Sequence, residues 1–154
     1  MGWRTGRAIY AGASSSWVCN LLALLVLLAH LAVPAAAQEP TPIRFPPGST
    51  GTVVAGSVVR GDHALYTLES RAGQMLTARI TAVEDNAVFQ LYAPGARVQH
   101  HDGAVEIMGS ALPNAGEGND ARSWHGRLPQ SGVYLFVVGG TRGNATYRLT
   151  ITAR

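Results

Sequence analysis

Short stretches of alternating apolar and polar residues follow one another along most of this chain. Residues 75–82 alternate strictly, with Leu76, Ala78 and Ile80 separated by polar side chains. Residues 146–153 repeat this pattern. Because successive side chains of a strand point to opposite faces, a period of two predicts strands with one buried face and one solvent face. Less regular strands are predicted at residues 52–59, 64–69 and 88–92, and short ones around residue 98 and at 105–108.

A different pattern occurs near the C-terminus, where a turn joins two apolar stretches. Residues 133–138 are continuously apolar, and Trp124 and Leu128 belong to the stretch before the turn. The turn contains Pro129, which fixes φ, and Gly132, which tolerates a positive φ. We therefore predict a β-hairpin here, with the other strands packed around it.

The spacing of the strands predicts the fold class. They recur about every 8–12 residues with turn residues between them, and no helical period of normal length interrupts them. We predict one all-β domain over residues 48–154, an antiparallel β-sandwich or jelly roll. Residues 38–47 are rich in proline and predict an extended lead-in. Residues 110–122 have no period and predict a long surface loop.

The first 37 residues have the features of a secretory signal peptide. Arg4 and Arg7 precede residues 21–33, which are apolar except for His30, and residues 35–37 are alanines suited to cleavage. The apolar run is shorter than the roughly 20 residues that a membrane-spanning helix needs. Residues 1–37 are therefore predicted to be removed, and the protein to be periplasmic or secreted.

Removal of the leader changes the composition. Cys19 is the only cysteine, so the exported domain would contain no disulfide and would depend on packing alone. Its ten arginines would face nine acidic residues, leaving a net charge of about +1 instead of +3. Neither a basic run nor arginines interleaved with aromatic residues occur, which argues against a nucleic-acid partner.

The sequence contains no complete set of catalytic residues. Ser131 lies in a turn between strands and lacks the G-x-S-x-G context of a nucleophile elbow. The neighbouring His100, His101 and Asp102 are of the types that bind zinc or copper, but adjacent histidines on a strand point to opposite faces. Calcium binding by acidic turn residues remains open, without a D-x-D-x-D spacing to favour it. We predict a protein that is not an enzyme and holds no cofactor or metal.

The turn and its flanks carry a recognisable motif, W-x-G-x-L-P-x-S-G-x-Y, followed by Y-x-L-x-I. An upstream A-G-Q-x-L motif is also present at residues 72–76. This pattern resembles the bacterial pre-peptidase C-terminal domain-like β-sandwich over nearly all of residues 43–153. Within that group, the signal peptide, the length and the single domain resemble the exported inhibitors of invertebrate-type and goose-type lysozymes.

The resemblance implies a binding function. In the invertebrate-type inhibitors an S-G-x-Y loop enters the active cleft of the enzyme, and Ser131, Gly132 and Tyr134 match that loop. It implies that Ser131 and Tyr134 meet the catalytic carboxylates of a lysozyme. Arg142, in the turn of residues 139–144, could join this surface because arginine pairs well with carboxylates, or could be an exposed solubilising residue. The same motif also serves as a structural turn, in which Tyr134 would pack beside Trp124.

Two alternatives remain open at this stage. One is a general module that binds envelope polysaccharide or another exported protein, which an exposed aromatic cluster around Trp124 would favour. The other concerns assembly, since residues 133–138 could either be buried or form the edge of a homodimer.

Overall fold

The computed structural model describes Met1, residues 39–101 and residues 104–154. These residues form ten strands and no helix, which confirms the predicted all-β fold class. In the described part of the chain, no helix has the length and apolarity needed to cross a membrane. The predicted signal peptide lies outside the described residues, apart from Met1. The strands are β1 (Thr41–Pro42), β2 (Gly51–Val58), β3 (His63–Ser70), β4 (Met75–Ala82), β5 (Ala87–Tyr92), β6 (Arg97–His101), β7 (Ala104–Met108), β8 (Ser123–Arg127), β9 (Gly132–Gly140) and β10 (Ala145–Ala153).

Eight of these strands form two four-stranded sheets that share one apolar core. Sheet A has the order β1-β3-β9-β5, and sheet B has the order β2-β10-β4-β8. The short β1 pairs with β3 in parallel, while the other pairs in the two sheets are antiparallel. The remaining strands, β6 and β7, pair with each other in a separate hairpin. The architecture is therefore a β-sandwich with an added hairpin.

The predicted hairpin between β8 and β9 is wrong. Strand β8 pairs with β4 at the edge of sheet B, whereas β9 lies between β3 and β5 in sheet A. The turn therefore carries the chain from one sheet to the other. The physical reason lies in β9, whose side chains are apolar on both faces. Such a strand is stable in the centre of a sheet that is covered on both sides, and β9 finds this position between β3 and β5.

The alternating strands supply the core between the sheets, as the period-two pattern predicted. On β4, Leu76, Ala78 and Ile80 point inward, and on β10 Leu149 and Ile151 do the same. Across the core, Phe89 and Phe136 of sheet A pack with their ring centroids 5.7 Å apart. Burial of these side chains provides the main stabilisation of a domain that has no disulfide among its described residues.

A hydroxyl pair also links the two sheets. Tyr66 of β3 and Tyr147 of β10 place their hydroxyl oxygens 2.6 Å apart. Gly56 of β2 makes room for them, since a Cβ at this position would lie 2.6 Å from the Tyr147 hydroxyl. The glycine in this strand therefore marks a close approach of the Tyr147 side chain to the backbone.

The outer face of sheet A has a second core of its own. Leu65, Leu135 and Val137 point outward there and are buried. The β6–β7 hairpin lies over them, with Val98 and Ile107 packed against this cluster. The continuous apolar run of β9 is thus explained by burial on both faces. Because β9 is also a central strand, its edges are not available for pairing with a second chain.

Residues 110–122 differ from the predicted surface loop. Leu112, Ala115 and Ala121 are buried in the core. The backbone follows the free edge of β5, where the amides of Phe89 and Leu91 donate hydrogen bonds to loop carbonyls at 2.8 Å. The segment has no regular period because it serves as an irregular cover for a sheet edge, which would otherwise expose unpaired backbone groups.

Candidate functional site

The turn between β8 and β9 is held from inside by Tyr134. This residue is fully buried, and its hydroxyl donates a hydrogen bond of 2.7 Å to the carbonyl of Gln130, four residues upstream. A tyrosine that bonds back to its own turn is a known device for fixing corners in β-sandwiches. The structure therefore places the Tyr134 side chain beneath the turn rather than on its surface. It shares the main core with Trp124 but belongs to the opposite sheet.

Ser131 lies on the exposed side of the same turn. Its Oγ accepts a hydrogen bond of 2.9 Å from the amide of Ala72, in the turn between β3 and β4. This contact joins two neighbouring turns at one end of the sandwich. A serine hydroxyl that accepts one bond still has a proton to donate. Ser131 can therefore hold the turn and bind a partner's oxygen at the same time.

Gly132 is required by the shape of this turn. Its φ is +142°, a value that other residues rarely adopt, and a Cβ at this position would lie 2.8 Å from a carbon of Pro94. The neighbouring Val133 is half exposed. The turn therefore presents Ser131 and Val133 to solvent, with a glycine between them that cannot be replaced without strain.

An open groove of about 720 Å³ lies beside Ser131 and Gly132. Its wall includes Ser70, which is only 5% exposed and is the register partner of Gly132 in sheet A. The Ser70 Oγ is buried without a hydrogen-bond partner among the described residues. Buried polar atoms are nearly always paired, so this hydroxyl beside the groove is an exception among the described residues. Phe45 contributes an apolar side chain to the same groove.

The charged groups of the groove are Arg71 and Glu69. Both side chains are exposed, and neither forms an ion pair with a described residue. The backbone amide of Arg71 donates a hydrogen bond of 2.7 Å to Oε1 of Gln74, and this bond fixes the turn. The guanidinium of Arg71 is therefore attached to a rigid turn and can pair with a carboxylate of another molecule. Nothing local in the sequence shows that residues 71–74 adjoin Ser131, so Arg71 was not among the predicted contact residues.

Arg142 does not belong to this group. Ser131 precedes β9 and Arg142 follows it, so the length of the strand separates them by roughly 26 Å at about 3.3 Å per residue. The guanidinium of Arg142 donates a hydrogen bond of 2.9 Å to the carbonyl of Glu84, in the turn between β4 and β5. The structure thus brings Ser131, Gly132 and the buried Tyr134 together and leaves Arg142 at the opposite end.

Trp124 does not form an exposed aromatic cluster. Its ring packs partly against the core, lies over Gly126, and donates a hydrogen bond of 3.0 Å from Nε1 to the carbonyl of Pro113. The aromatic surface that would favour stacking on sugar rings is therefore not built around this residue.

The histidine-rich tip shows no gathering of metal-binding side chains in the described part of the chain. There, no three His, Cys, Asp or Glu residues lie close enough to hold a metal ion. His100 and His101 end β6, while Asp102 lies outside the described residues.

A smaller cleft of about 250 Å³ lies between the β6–β7 hairpin and sheet A. Glu106, Glu117 and His63 line it together with Tyr92. Burial, and then the carboxylate of Glu117, raise the pKa of Tyr92, whose hydroxyl donates a hydrogen bond of 2.8 Å to Gln90. Tyr92 therefore stays neutral at ordinary pH and acts as a packing and hydrogen-bonding group.

Comparison with solved structures identifies proteins of the same fold. No protein-family model matches the chain, and no curated protein matches it at a meaningful level. The crystal structure of Aeromonas hydrophila PliG, a periplasmic inhibitor of g-type lysozyme, is 29% identical, has a TM-score of 0.58, and covers 75% of this chain and 96% of its own. PliG of Salmonella Typhimurium and a mutant of PliG from Escherichia coli are 20% and 19% identical, with TM-scores of 0.53 and 0.51. Each covers 77% of this chain and all of its own.

The fold of this chain is therefore that of the periplasmic inhibitors of g-type lysozyme. The Salmonella and Escherichia proteins support the fold alone, whereas the Aeromonas protein is also more similar in sequence. These neighbours are periplasmic inhibitors of g-type lysozyme. The broader resemblance to pre-peptidase C-terminal domains stays a prediction.

Proposed function

We propose that this protein is an exported, non-enzymatic inhibitor of g-type lysozyme, acting in the periplasm or outside the cell. The observation that carries the proposal is the likeness in fold and sequence to the Aeromonas inhibitor, combined with a rigid exposed turn at one end of the sandwich. A cleft-blocking protein needs a preorganised protrusion, because ordering a flexible loop on binding would cost affinity.

The proposed contact surface is the end of the sandwich that carries Ser131. The Ser131 hydroxyl would donate to a carboxylate in the cleft of the lysozyme, and Gly132 would keep the backbone in the shape that presents this hydroxyl. Tyr134 would act from within, by fixing the turn through Gln130. Arg71 would supply the cation that the sequence analysis assigned to Arg142, since it lines the same groove as Ser131.

The test compares two arginine variants in a lysozyme inhibition assay. The purified protein is titrated into g-type lysozyme acting on bacterial cell walls, and the inhibition constant is measured for the parent, Arg71→Gln and Arg142→Gln. Loss of a charge-assisted hydrogen bond should weaken inhibition by Arg71→Gln about tenfold or more. Inhibition by Arg142→Gln, which removes the same charge at the other end, should stay within about twofold of the parent.

Two results would overturn parts of this proposal. Failure of the folded parent to inhibit g-type lysozyme would reject the function itself. Weakening by Arg142→Gln without weakening by Arg71→Gln would keep the function but move the contact surface to the opposite end. Circular dichroism of each variant checks that the fold is retained.

A further inference from the structure

The outer face of sheet B is an exposed surface with a regular chemical pattern. Its two central strands, β4 and β10, present alternate side chains outward, and these are exposed or partly exposed. In the described structure, no segment packs across them, in contrast to the hairpin on sheet A. We call this surface the threonine–arginine face, from Thr77, Arg79, Thr81, Arg148, Thr150 and Thr152.

The charge of this face has one sign. Strands β2, β4, β8 and β10 contain no aspartate or glutamate, and Arg79, Arg127 and Arg148 point outward from them. At one end of the face, Asp85 is already paired with Arg122. Residues 38–154 carry ten arginines and nine acidic residues, so this face concentrates positive charge in a chain segment that is nearly neutral.

Two of the arginines are placed to act together. In the register of β4 and β10, Arg79 lies opposite Thr150 and Arg148 lies opposite Thr81. The two arginines are thus diagonal neighbours on one face, with Cβ atoms somewhat less than about 7–8 Å apart. Neither guanidinium has a hydrogen bond or ion pair with a described residue. Each is flanked by threonine hydroxyls, which both donate and accept hydrogen bonds.

We propose that the threonine–arginine face binds a linear acidic polysaccharide, a sugar chain that carries carboxylate or sulfate groups. Guanidinium groups pair with such anions through two parallel hydrogen bonds, and the surrounding hydroxyls match the hydroxyls of the sugar rings. The exposed outer positions of β4 and β10 leave room for an extended chain that lies across the strands. This activity is independent of the proposed lysozyme contact, which uses the end of the sandwich.

Two other kinds of polyanion fit the face less well. Single-stranded nucleic acid is held by aromatic side chains that stack on its bases, and β4 and β10 present none outward. Anionic membranes are bound by surfaces that also insert large apolar side chains, whereas the outward positions of these two central strands are mostly threonine and arginine.

The test is a binding measurement with defined polymers. The purified protein is titrated with polygalacturonate, which carries carboxylates, with dextran sulfate, and with neutral dextran, at low and high salt. The parent should bind at least one of the charged polymers and not dextran, with affinity that falls as salt rises. The carboxylate and sulfate arms identify which anion the face prefers.

A matched pair of variants locates the binding. Arg79→Gln/Arg148→Gln should weaken polymer binding about tenfold or more, because both charge-assisted contacts are lost. Arg60→Gln/Arg97→Gln removes the same charge from other exposed positions and should change the affinity by less than about twofold. Both double variants should inhibit g-type lysozyme as the parent does, which separates this proposal from the preceding one.

Three outcomes would overturn the proposal. One is failure of the parent to bind either charged polymer at low salt. Another is equal weakening in the two double variants, which would indicate a general charge effect. The last is tighter binding to a single-stranded oligonucleotide or to vesicles containing phosphatidylglycerol than to either polysaccharide.

Discussion

Strands β9 and β10 occupy equivalent central positions in the two sheets, yet their outer faces differ completely. On β9, Leu135 and Val137 point outward and lie beneath the β6–β7 hairpin. On β10, Arg148 and Thr150 point outward to solvent. The inner faces of both strands are apolar, so the difference in sequence pattern comes from the outer face alone. A continuous apolar run thus indicates a strand that is buried on both faces, and an alternating run indicates a strand that is buried on one face.

The largest expected effect comes from placing the same charge on each outer face. Leu135→Asp buries a carboxylate beneath the hairpin and should lower the free energy of unfolding by about 3–4 kcal/mol. Thr150→Asp places it in solvent and should change the free energy of unfolding by less than about 1 kcal/mol. Urea denaturation at neutral pH measures both. Similar losses in the two variants would mean that the outer faces do not differ as described.

A smaller effect concerns the hydroxyl pair of Tyr66 and Tyr147, which links sheet A to sheet B. Burial, and then the hydrogen bond with Tyr66, raise the pKa of Tyr147 well above its ordinary value of about 10. The folded protein therefore keeps Tyr147 neutral at a pH at which the unfolded chain ionises it. The stability that this provides is complete below about pH 10 and is lost as the pH rises further.

Tyr147→Phe isolates this contribution. Above about pH 10, the free energy of unfolding of the parent should fall by up to about 1.4 kcal/mol per pH unit more steeply than that of the variant. Urea denaturation at several values between about pH 9 and pH 11 gives the two slopes. Equal slopes would show that the hydroxyl pair does not resist ionisation.

Much of the fold could be predicted from the sequence because period-two patterns report burial directly. The inward sets on β4 and β10 are those expected from Leu76 and Leu149 and their alternating neighbours. Which strands pair with each other was harder to predict from the sequence. Whether the turn at Pro129 reverses the chain within one sheet or crosses to the other depends on which distant strands complete β9, and that information is not local.

The candidate site was predictable only in part, for the same reason. The S-G-x-Y motif drew attention to Ser131 and Gly132, but the burial of Tyr134 depends on packing between sheets. Arg71 was missed because the turn that carries it is about 60 positions away from Ser131 in sequence. The two are brought together by contacts between distant segments, such as the hydrogen bond from the amide of Ala72 to Ser131 and those between residues 73–74 and Leu128. Arg142 is near Ser131 in sequence and far from it in space.

The most direct test of the proposed contact surface is amide hydrogen exchange of this protein, measured alone and with an excess of g-type lysozyme. We expect slower exchange in the enzyme's presence at residues 70–75 and 129–133, the segments joined by the hydrogen bond between Ala72 and Ser131. We expect no change at residues 139–144, at the end of the sandwich that carries Arg142, if Ser131 and Arg71 form the contact surface. Protection at residues 139–144 instead, or no protection anywhere in the chain, would contradict the proposed contact surface.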